Sequence, residues 1–442
     1  MPAKDLNEVF NYFQIKPITL ETFETFYVNA DKGRGGNPIF NTLKRRIVNN
    51  PEGCLKLLVS GHKGSGKSTE LIRLQKDIEK DFVVLNFSVF EELDIFNINY
   101  MELFIVTMEK LFNYVQGEEK INIDKKYLED IQNWMKSGEI REINRNYMGL
   151  DLDTEMQAGA DIPFLAKFFA KFKASAKSSS SMEKTLINSI EPKLSELISL
   201  CNKFIAEIRL NLPKVNKKGL VIIIEDMDKI DLLRGEKIFY DHSAQLKQLN
   251  CHCIFTFPIA LLYNIKFKSV ISNYNWDFVL PMIKVFEKSG SPCRQGIDTM
   301  KKIVEQRMEP ALFEENSTVL EDMAKKSGGC LWDLFRMIIS AADNALDYER
   351  RVIMRDDYIS AYYSLKSEYE RTIAENKEKG IKVDDYFNEL ASCAADESKK
   401  PRSSDIMLDL MNNQTVLNYN GENWHDVHPI VKDILKERGL LN

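Results

Sequence analysis

The stretch GHKGSGKS, Gly61 to Ser68, is the part of the sequence that decides the fold. It follows a short apolar run, LKLLVS, and precedes STELIRLQKDIEK, whose apolar residues recur at the spacing of one buried helix face. Its first and last glycines, Lys67 and Ser68 fit the pattern G-x-x-x-x-G-K-[ST] in the strand, loop and helix context that this pattern requires. The sequence therefore predicts a phosphate-binding loop between the first strand of a parallel sheet and a helix.

Each residue type in this loop suits a bound phosphate. Glycines let backbone amides curl inward around the phosphates, and the helix that follows points its positive end at them. Lys67 is expected to neutralise the β and γ phosphates, and the Ser68 hydroxyl is expected to coordinate Mg²⁺. The predicted nucleotide-binding residues are Gly61, His62, Lys63, Gly64, Ser65, Gly66, Lys67, Ser68 and Thr69.

A second apolar run, VIIIEDMDKI (221–230), ends in three acids. A buried strand that ends in carboxylates is what a site for a nucleotide with Mg²⁺ requires opposite the phosphate loop. Glu225 directly follows the aliphatic residues and is predicted to face the metal, while Asp226 is predicted to polarise the attacking water. Asp228 has two interpretations, a third member of this site and an ordinary solvated helix start.

The rest of the chain predicts an α/β core with two appended units. The runs DFVVLNFSVF, GLVIIIED, CHCIFTFP and NWDFVLPMIKV are separated by helical stretches, which indicates a parallel sheet with helices on both faces. The predicted order is a helical segment (1–50), the core (51–296), an all-helical lid (297–375) and a small winged-helix-like domain (384–442). The last unit combines helices with a candidate strand, turn and strand in QTVLNYNGENWHDVHP.

Residues from about 117 to 185 interrupt the alternation of strand and helix and are predicted to be an insertion. The basic and aromatic stretch GADIPFLAKFFAKFKASAKSSSS (159–181) ends in a serine run, which is interpreted as a flexible connector. It permits three interpretations: an amphipathic helix on a membrane, strands of a projecting hairpin, or a segment that touches nucleic acid. From Lys171 onward, lysine or serine alternates with Phe172 and two alanines, and a period of two favours strand over helix. A hairpin is the favoured prediction, with a loosely ordered loop as the alternative.

Composition restricts the class of protein and its partners. No apolar run approaches the about 18 residues of a membrane-spanning helix, and the charged start is unlike a signal peptide, so a cytoplasmic location is expected. The seven scattered cysteines argue against a disulfide framework, and CHC at 251–253 has no second Cys or His pair at zinc spacing. The net charge of -6 confines any nucleic-acid site to a local patch.

Taken in chain order, the motifs resemble those of an AAA+ or STAND-type P-loop ATPase of the bacterial kind. The motifs are the phosphate loop, the acids of VIIIEDMDKI, the strand CIFTFP, the lid helix SGGCLWDLFRMI and the winged-helix-like end. The order is similar to that of origin-recognition ATPases as well. The resemblance implies ATP and Mg²⁺ as ligands and gives Thr256 the position of a polar sensor of the γ-phosphate.

The resemblance also implies several less specific site residues. A lid arginine is expected where this chain has Trp332, and Arg336 follows one helical turn later. Arg294 is the first candidate and Arg307 the second for an arginine that a neighbouring subunit supplies. For each residue taken alone, an ordinary surface arginine is the favoured interpretation. The turn KGRGGNPIF precedes the first strand, so Pro38–Ile39 is the candidate lining of an adenine pocket.

Two functions from different classes follow. The first, implied by the resemblance, is an ATPase switch that forms a homo-oligomer with ATP and regulates a separate effector protein, as in anti-phage defence. Related ATPases commonly place Asp before a second acid, and the reversed order of Glu225 and Asp226 predicts slow hydrolysis.

The alternative is a DNA-binding initiator or regulator that reads nucleic acid through its winged helix. The segment 384–442 carries eleven acids against six bases, which favours protein docking over DNA. His425 and His428 are interpreted as wing and turn residues. A small-molecule kinase, a third class, is disfavoured because the chain has no arginine-rich lid.

Overall fold

The computed structural model describes residues 2–36, 38–117, 125–135, 162–178, 191–315, 318–419 and 424–441. The strands are β1 (Lys56–Ser60), β2 (Phe82–Ser88), β3 (Gly219–Glu225), β4 (His252–Phe257), β5 (Trp276–Val279), β6 (Val416–Tyr419) and β7 (Trp424–Val427). The helices of the first half are α1 (Leu6–Tyr12), α2 (Phe23–Phe26), α3 (Ile39–Val48), α4 (Lys67–Ile78), α5 (Val89–Glu92), α6 (Tyr100–Gly117), α7 (Lys125–Met135), α8 (Ile162–Ser178) and α9 (Leu194–Asn211). Those of the second half are α10 (Leu232–Glu236), α11 (Ser243–Leu246), α12 (Ile259–Leu262), α13 (Phe267–Val270), α14 (Arg294–Glu305), α15 (Val319–Lys326), α16 (Leu331–Asp347), α17 (Arg355–Thr372), α18 (Val383–Ala395), α19 (Asp405–Asn412) and α20 (Pro429–Glu437).

The five-stranded sheet is parallel throughout, in the order β2-β3-β4-β1-β5. The three central strands are buried along their whole length, whereas the edge strand β5 exposes Trp276 and Asp277. Because the carboxyl ends of parallel strands meet at one edge, the loops after β1 and β3 lie at the same edge, with β4 between them. The predicted fold is confirmed: this is the sheet of a P-loop nucleoside triphosphatase.

Helices cover both faces of this sheet. On one face Leu58, Ile222 and Phe255 belong to a buried cluster with side chains of α6, α8 and α9. On the other face Val59 and Ile223 pack with side chains of α3 and α4. Alternate residues of a strand point to opposite faces, so burial on both faces explains why these strands are continuous aliphatic runs.

The basic and aromatic stretch is a helix, and the predicted hairpin is wrong. In α8 the buried side chains Leu165, Phe168, Phe169 and Phe172 follow the spacing of a single helix face. The ring of Phe169 lies 5.8 Å from that of Phe112 in α6. The aromatic residues that suggested contact with a membrane or nucleic acid are therefore part of the protein core. Most of the predicted insertion, including residues 136–161 and most of the serine run, lies outside the described residues.

The sequence also predicts a long helix at about 183–210, between the insertion and the strand GLVIIIED; the structure has α9 here, which begins at Leu194. A short 3-10 turn, Glu191–Lys193, precedes it. The earlier part of the prediction, residues 183–190, lies outside the described residues.

From Arg294 to Leu441, which we call the C-terminal half, the described residues form helices and the two strands β6 and β7. β6 and β7 pair in antiparallel register, as the strand, turn and strand prediction required. His425 is buried in β7, and His428 accepts a hydrogen bond from the amide of Ile430 at the start of α20. One cluster of buried apolar residues joins α1 with α16, α17, α18 and α20. The segments predicted as lid and winged-helix-like domain therefore share buried surface.

Three findings concern membrane-spanning helices, disulfides and metal-binding groups in the described part of the chain. None of its helices combines the length and the apolar character needed to cross a membrane. All seven cysteines are free thiols, and the Sγ atoms of Cys251 and Cys253 lie 3.8 Å apart. Within the described ranges, no three His, Cys, Asp or Glu side chains form a group that could hold a metal ion by themselves.

Candidate nucleotide-binding site

The loop between β1 and α4 has the backbone that a bound phosphate requires. Gly64 and Gly66 adopt φ values of +73° and +95°, which glycine tolerates best. A Cβ atom at Gly64 would lie 2.7 Å from Sγ of Cys330, and one at Gly66 would lie 3.0 Å from Nη2 of Arg34. Conformation and space therefore both require glycine here. α4 begins at Lys67, so its unpaired first amides open onto the loop.

A buried arginine supports this loop from behind. Arg34 donates hydrogen bonds to the carbonyl oxygens of Ser65 at 2.6 Å and Pro281 at 3.4 Å. Burial lowers the pKa of Arg34, and the charges of Glu70 and Asp31 oppose that shift. The sequence showed only a glycine-rich turn at this place, so the role of Arg34 in positioning the loop was not predicted.

Lys67 is held by its own loop and by Asp228. Its Nζ atom donates to the carbonyl oxygens of Gly61 at 2.7 Å and His62 at 2.9 Å, and it lies 2.9 Å from Oδ2 of Asp228. Burial by itself would raise the pKa of Asp228, but the Lys67 charge and the Thr256 hydroxyl outweigh it and hold that pKa below its ordinary value. The structure thus places Asp228 in the site, and the interpretation as a solvated helix start does not fit a buried, paired carboxylate.

The other two acids occupy different positions. Glu225 is buried and hydrogen-bonds the Ser68 side chain, and burial is the main reason that its pKa is raised to about 7. Asp226 lies on the cavity wall with a φ of +66°. Its carboxylate accepts a hydrogen bond from Oγ of Ser88 at 2.5 Å and lies 2.7 Å from Nζ of Lys229. Glu225 therefore stands beside the predicted metal ligand Ser68, and Asp226 faces the space where a substrate would lie.

Thr256, predicted as a sensor of the γ-phosphate, lies behind these acids. Its Oγ1 atom accepts a hydrogen bond from the amide of Met227 at 2.9 Å, and its side chain hydrogen-bonds Asp228. Thr256 belongs to β4, the strand between β1 and β3, and it does not line the cavity. Its contacts position the segment that carries Asp228.

A cavity of about 290 Å³ opens beside the phosphate loop. Its walls come from the N-terminal segment 14–18, the loop and the start of α4, the residues after β2 and β3, and the C-terminal half, which contributes Trp332 and Phe335. Pro38–Ile39 does not line this cavity; Ile39 is the first residue of α3 and packs against the core of the sheet. The N-terminal segment 14–18 lines the cavity instead.

The three candidate arginines are far from equivalent. Arg294 is the first residue of α14, is exposed, and pairs with Glu321 at 3.0 Å. Arg336 of α16 pairs with Glu368 and does not line the cavity. Arg307 does line the cavity, and it does so within its own chain. From the sequence, Arg307 is the second candidate for an arginine supplied to a neighbouring subunit, with an ordinary surface position as the other interpretation.

The C-terminal half contacts the phosphate loop directly. Three consecutive loop residues each accept a hydrogen bond from it: Gly64 O from Leu331 N at 3.0 Å, Lys63 O from Gln414 Nε2 at 2.7 Å, and His62 Nε2 from Asn418 N at 2.8 Å. These donors lie at the start of α16, before β6 and within β6. No sequence pattern signals them, because two of the three donors are main-chain amides.

His62 is neutral in this arrangement. Its Nε2 atom accepts the hydrogen bond from Asn418 and therefore carries no proton. Burial, with smaller contributions from His425 and Lys67, lowers the pKa of His62 to about 3. The loop is thus joined to β6 by an uncharged, buried imidazole.

Comparison with known proteins finds similarity at the level of solved structures. No protein-family model and no curated protein matches the sequence. A Walker-type ATPase of Pyrococcus abyssi is 12% identical over 96% of this chain and 99% of that chain, with a TM-score of 0.44. The ORC1 protein of Aeropyrum pernix, solved in complex with DNA, is 11% identical over 94% of each chain, with a TM-score of 0.40. The RuvB Holliday junction branch migration motor of Thermotoga maritima is 9% identical over 96% of this chain and 98% of that chain, with a TM-score of 0.34.

Similarity this low assigns neither ligand nor partner to the chain. The fold is shown by the geometry of the chain itself. A glycine-rich loop joins β1 to α4, acids follow β3 at the same edge of the sheet, and Lys67 meets Asp228 between them. The chain therefore has the fold of a P-loop nucleoside triphosphatase with a helical C-terminal half.

Proposed function

We propose that this protein binds ATP with Mg²⁺, hydrolyses it slowly, and changes the arrangement of its C-terminal half with nucleotide occupancy. The observation that carries the proposal is the set of hydrogen bonds from residues 62–64 of the phosphate loop to Leu331, Gln414 and Asn418. Lys67 now donates to the Gly61 and His62 carbonyl oxygens, and it must leave them to reach a phosphate. A change in this loop therefore reaches α16 and β6 through direct bonds.

The site fits a nucleoside triphosphate. Gly64 and Gly66 leave no side chain between the loop amides and a phosphate, and the start of α4 supplies further amides. Lys63, Lys67 and Lys229 contribute positive charge to the cavity wall. Ser68 and Glu225 are the residues that would hold Mg²⁺, which when bound neutralises charge on the phosphates.

The surroundings of Asp226 support slow hydrolysis. Its carboxylate is engaged by the Ser88 hydroxyl and by Lys229. A general base must lie within hydrogen-bond reach of the water from which it takes a proton. Two of the acceptor sites with which Asp226 could hold the attacking water are therefore already occupied. This adds to the slow hydrolysis that the reversed order of Glu225 and Asp226 predicts.

The assembly and signalling parts of the function are predictions from the resemblance to AAA+ and STAND-type ATPases. They comprise ATP-dependent self-association, regulation of a separate effector protein and a role in anti-phage defence. The DNA-reading alternative is a prediction as well. Asp426 pairs with both Lys399 and Lys432. Arg402 pairs with Glu389 and Asp396, so at least three of the six bases in segment 384–442 have acidic partners within the chain.

ATP binding, ATP turnover and mass in solution test the proposal. We expect the native chain to bind ATP, turn it over slowly and gain mass with ATP. Lys67→Ala should lose binding, whereas Asp226→Asn should bind normally and lose turnover by about 100-fold or more.

Three results would contradict parts of the proposal. Native-like binding and turnover by Lys67→Ala would refute the site assignment. A native chain that stays monomeric with saturating ATP would refute self-association. A salt-dependent shift of duplex DNA at physiological ionic strength would favour the DNA-binding alternative.

A further inference from the structure

Arg307 is a buried cation without an acidic partner in the described ranges. Only 7% of its surface is exposed. Burial is the one cause that lowers its pKa, to about 10, and no neighbouring carboxylate opposes that shift. Arg34, the other buried arginine beside this loop, has the charges of Glu70 and Asp31 nearby. Arg307 therefore lacks the compensation that buried charges normally have.

The neighbours of Arg307 hold it in place without neutralising it. Its Nη1 atom donates to the carbonyl oxygens of Ile303 at 2.8 Å and Phe26 at 3.4 Å. Its Cζ atom lies 5.2 Å from the ring centre of Phe26 and 5.1 Å from that of Phe335. Nη2 and Nε donate to no residue in the part of the chain that the structure describes, and neither is among its fully buried nitrogen atoms without a partner. The side chain lines the cavity and therefore has two donors that the described protein does not use.

The ligand that would satisfy these donors is an anion. A guanidinium group has donors and no acceptor, and it matches phosphate oxygens in a two-pronged geometry. The cavity that Arg307 lines is also lined by Lys67 and Ser68 of the phosphate loop. Arg336, predicted as the lid arginine, is paired with Glu368 and lies off the cavity. Arg307 is thus positioned to contact a phosphate in the cavity, whereas Arg336 is not.

We propose that Arg307 binds the phosphate groups of the nucleotide held by its own chain. The inference rests on the proposed ATP site and assigns to that site a cation that the loop motif does not contain. It also differs from the role for which the sequence makes Arg307 a second candidate, which is action on a neighbouring subunit.

The affinity for ATP and its dependence on salt test this assignment. The proteins are the native chain, Arg307→Met and the control Arg294→Met, which removes an exposed arginine from the start of the adjacent helix α14. We expect Arg307→Met to weaken ATP binding by about tenfold or more, the loss of a charge-assisted hydrogen bond. Its affinity should also fall less steeply with added salt, because one charge pair is missing. Arg294→Met should match the native chain in both respects.

Two results would overturn the assignment while leaving the ATP site intact. One is an unchanged ATP affinity in a folded Arg307→Met protein. The other is a weaker affinity with the native salt dependence, which would mean that Arg307 contacts the uncharged base or ribose. If Arg307→Met does not fold, Arg307→Gln serves instead: it also removes the charge, so we expect the same weaker affinity and the same shallower salt dependence, and either overturning result applies to it equally. A native chain without ATP binding would overturn the proposed function and this inference together.

A mixing experiment separates action within one chain from action between chains. Equal amounts of Arg307→Met and Lys67→Ala are combined at an ATP concentration that saturates only the native protein. If Arg307 served a neighbouring site, the Lys67→Ala chain would supply its Arg307 to the nucleotide site of an Arg307→Met chain, and turnover would recover. We expect no recovery, and recovery would refute action within the chain.

Discussion

Asp228 and Lys67 illustrate how strongly single residues are coupled in this site. Their charged groups lie 2.9 Å apart, and both side chains are almost completely buried. Removing one partner of a buried ion pair leaves an uncompensated charge, at a cost of about 3–5 kcal/mol. The coupling is therefore measurable in the stability of the protein without nucleotide.

We expect Asp228→Asn to lower the free energy of unfolding by about 3 kcal/mol or more without nucleotide, because Lys67 loses its counter-charge. ATP should restore part of this loss if its phosphates take the place of the carboxylate. Urea unfolding with and without ATP measures both effects. Asp231→Asn changes an exposed acid of the same segment and keeps a side chain that can cap α10, so it should be nearly neutral. Equal losses in the two variants would show that the Lys67 pair does not stabilise the fold.

His62 links the stability of the protein to pH. Its folded-state pKa of about 3 lies below the ordinary value of 6.5, so the unfolded chain binds the proton first as the pH falls. The neutral His62 side chain therefore makes its full contribution to the free energy of unfolding above pH 6.5. That contribution is lost progressively as the pH falls toward 3, at about 1.4 kcal/mol per pH unit. His62→Asn keeps an acceptor for the Asn418 amide but does not titrate. We therefore expect the melting temperature of the variant to fall less steeply between pH 7 and pH 4.

The comparison isolates His62 because His252 and His425 titrate in both proteins. Burial lowers the pKa of His252 and of His425 to about 4, so each destabilises the native chain and the variant alike in acid. Parallel melting curves would mean that His62 is already solvated in the folded protein.

Among the secondary structure elements, α8 shows where a short pattern is ambiguous. The alternation from Lys171 to Ala176 has a period of two, but the preceding Leu165, Phe168 and Phe169 have the spacing of a helix. A single helix face that includes Phe172 can bury all four apolar residues at once, whereas a strand would expose some of them. The wider window, not the local one, predicts this element correctly.

The burial of α8 predicts a structural role for its aromatic side chains. Phe169 is 2% exposed and packs beside Phe112, so Phe169→Ala should lower the free energy of unfolding by about 3–5 kcal/mol. Ala170→Ser, the adjacent exposed position, should change it little. Urea unfolding measures both variants, and sedimentation with anionic vesicles tests the rejected membrane interpretation. A stable Phe169→Ala protein that has lost vesicle binding would restore that interpretation.

In the whole molecule, the phosphate loop is a junction between the sheet and the C-terminal half. α16 and the segment from Gln414 to Asn418 bond to it, and the loop is itself held by Arg34. The apolar cluster that joins α1 to α16, α17, α18 and α20 makes the C-terminal half one packed body. A change at residues 62–64 is therefore expected to move more than the loop.

Hydrogen exchange measures this coupling. We expect ATP to change the exchange rate of the Asn418 amide, because its acceptor is a loop residue, and to leave the amides in the middle of β1 unchanged. Lys67→Ala, which should not bind ATP, provides the baseline. If ATP saturates the native site and the exchange of residues 416–419 stays the same, the proposed switch loses its physical basis.

The sequence by itself determined the elements whose signals are local. The phosphate loop, α4 and the aliphatic strand that ends at Glu225 are each specified by residue types within a few positions of one another. Only the tertiary structure decided which side chains complete the site. Arg34 and Ser65 are 31 positions apart, and His62 and Asn418 are 356 apart. Strand order and helix packing bring such residues together, and no local pattern records that order.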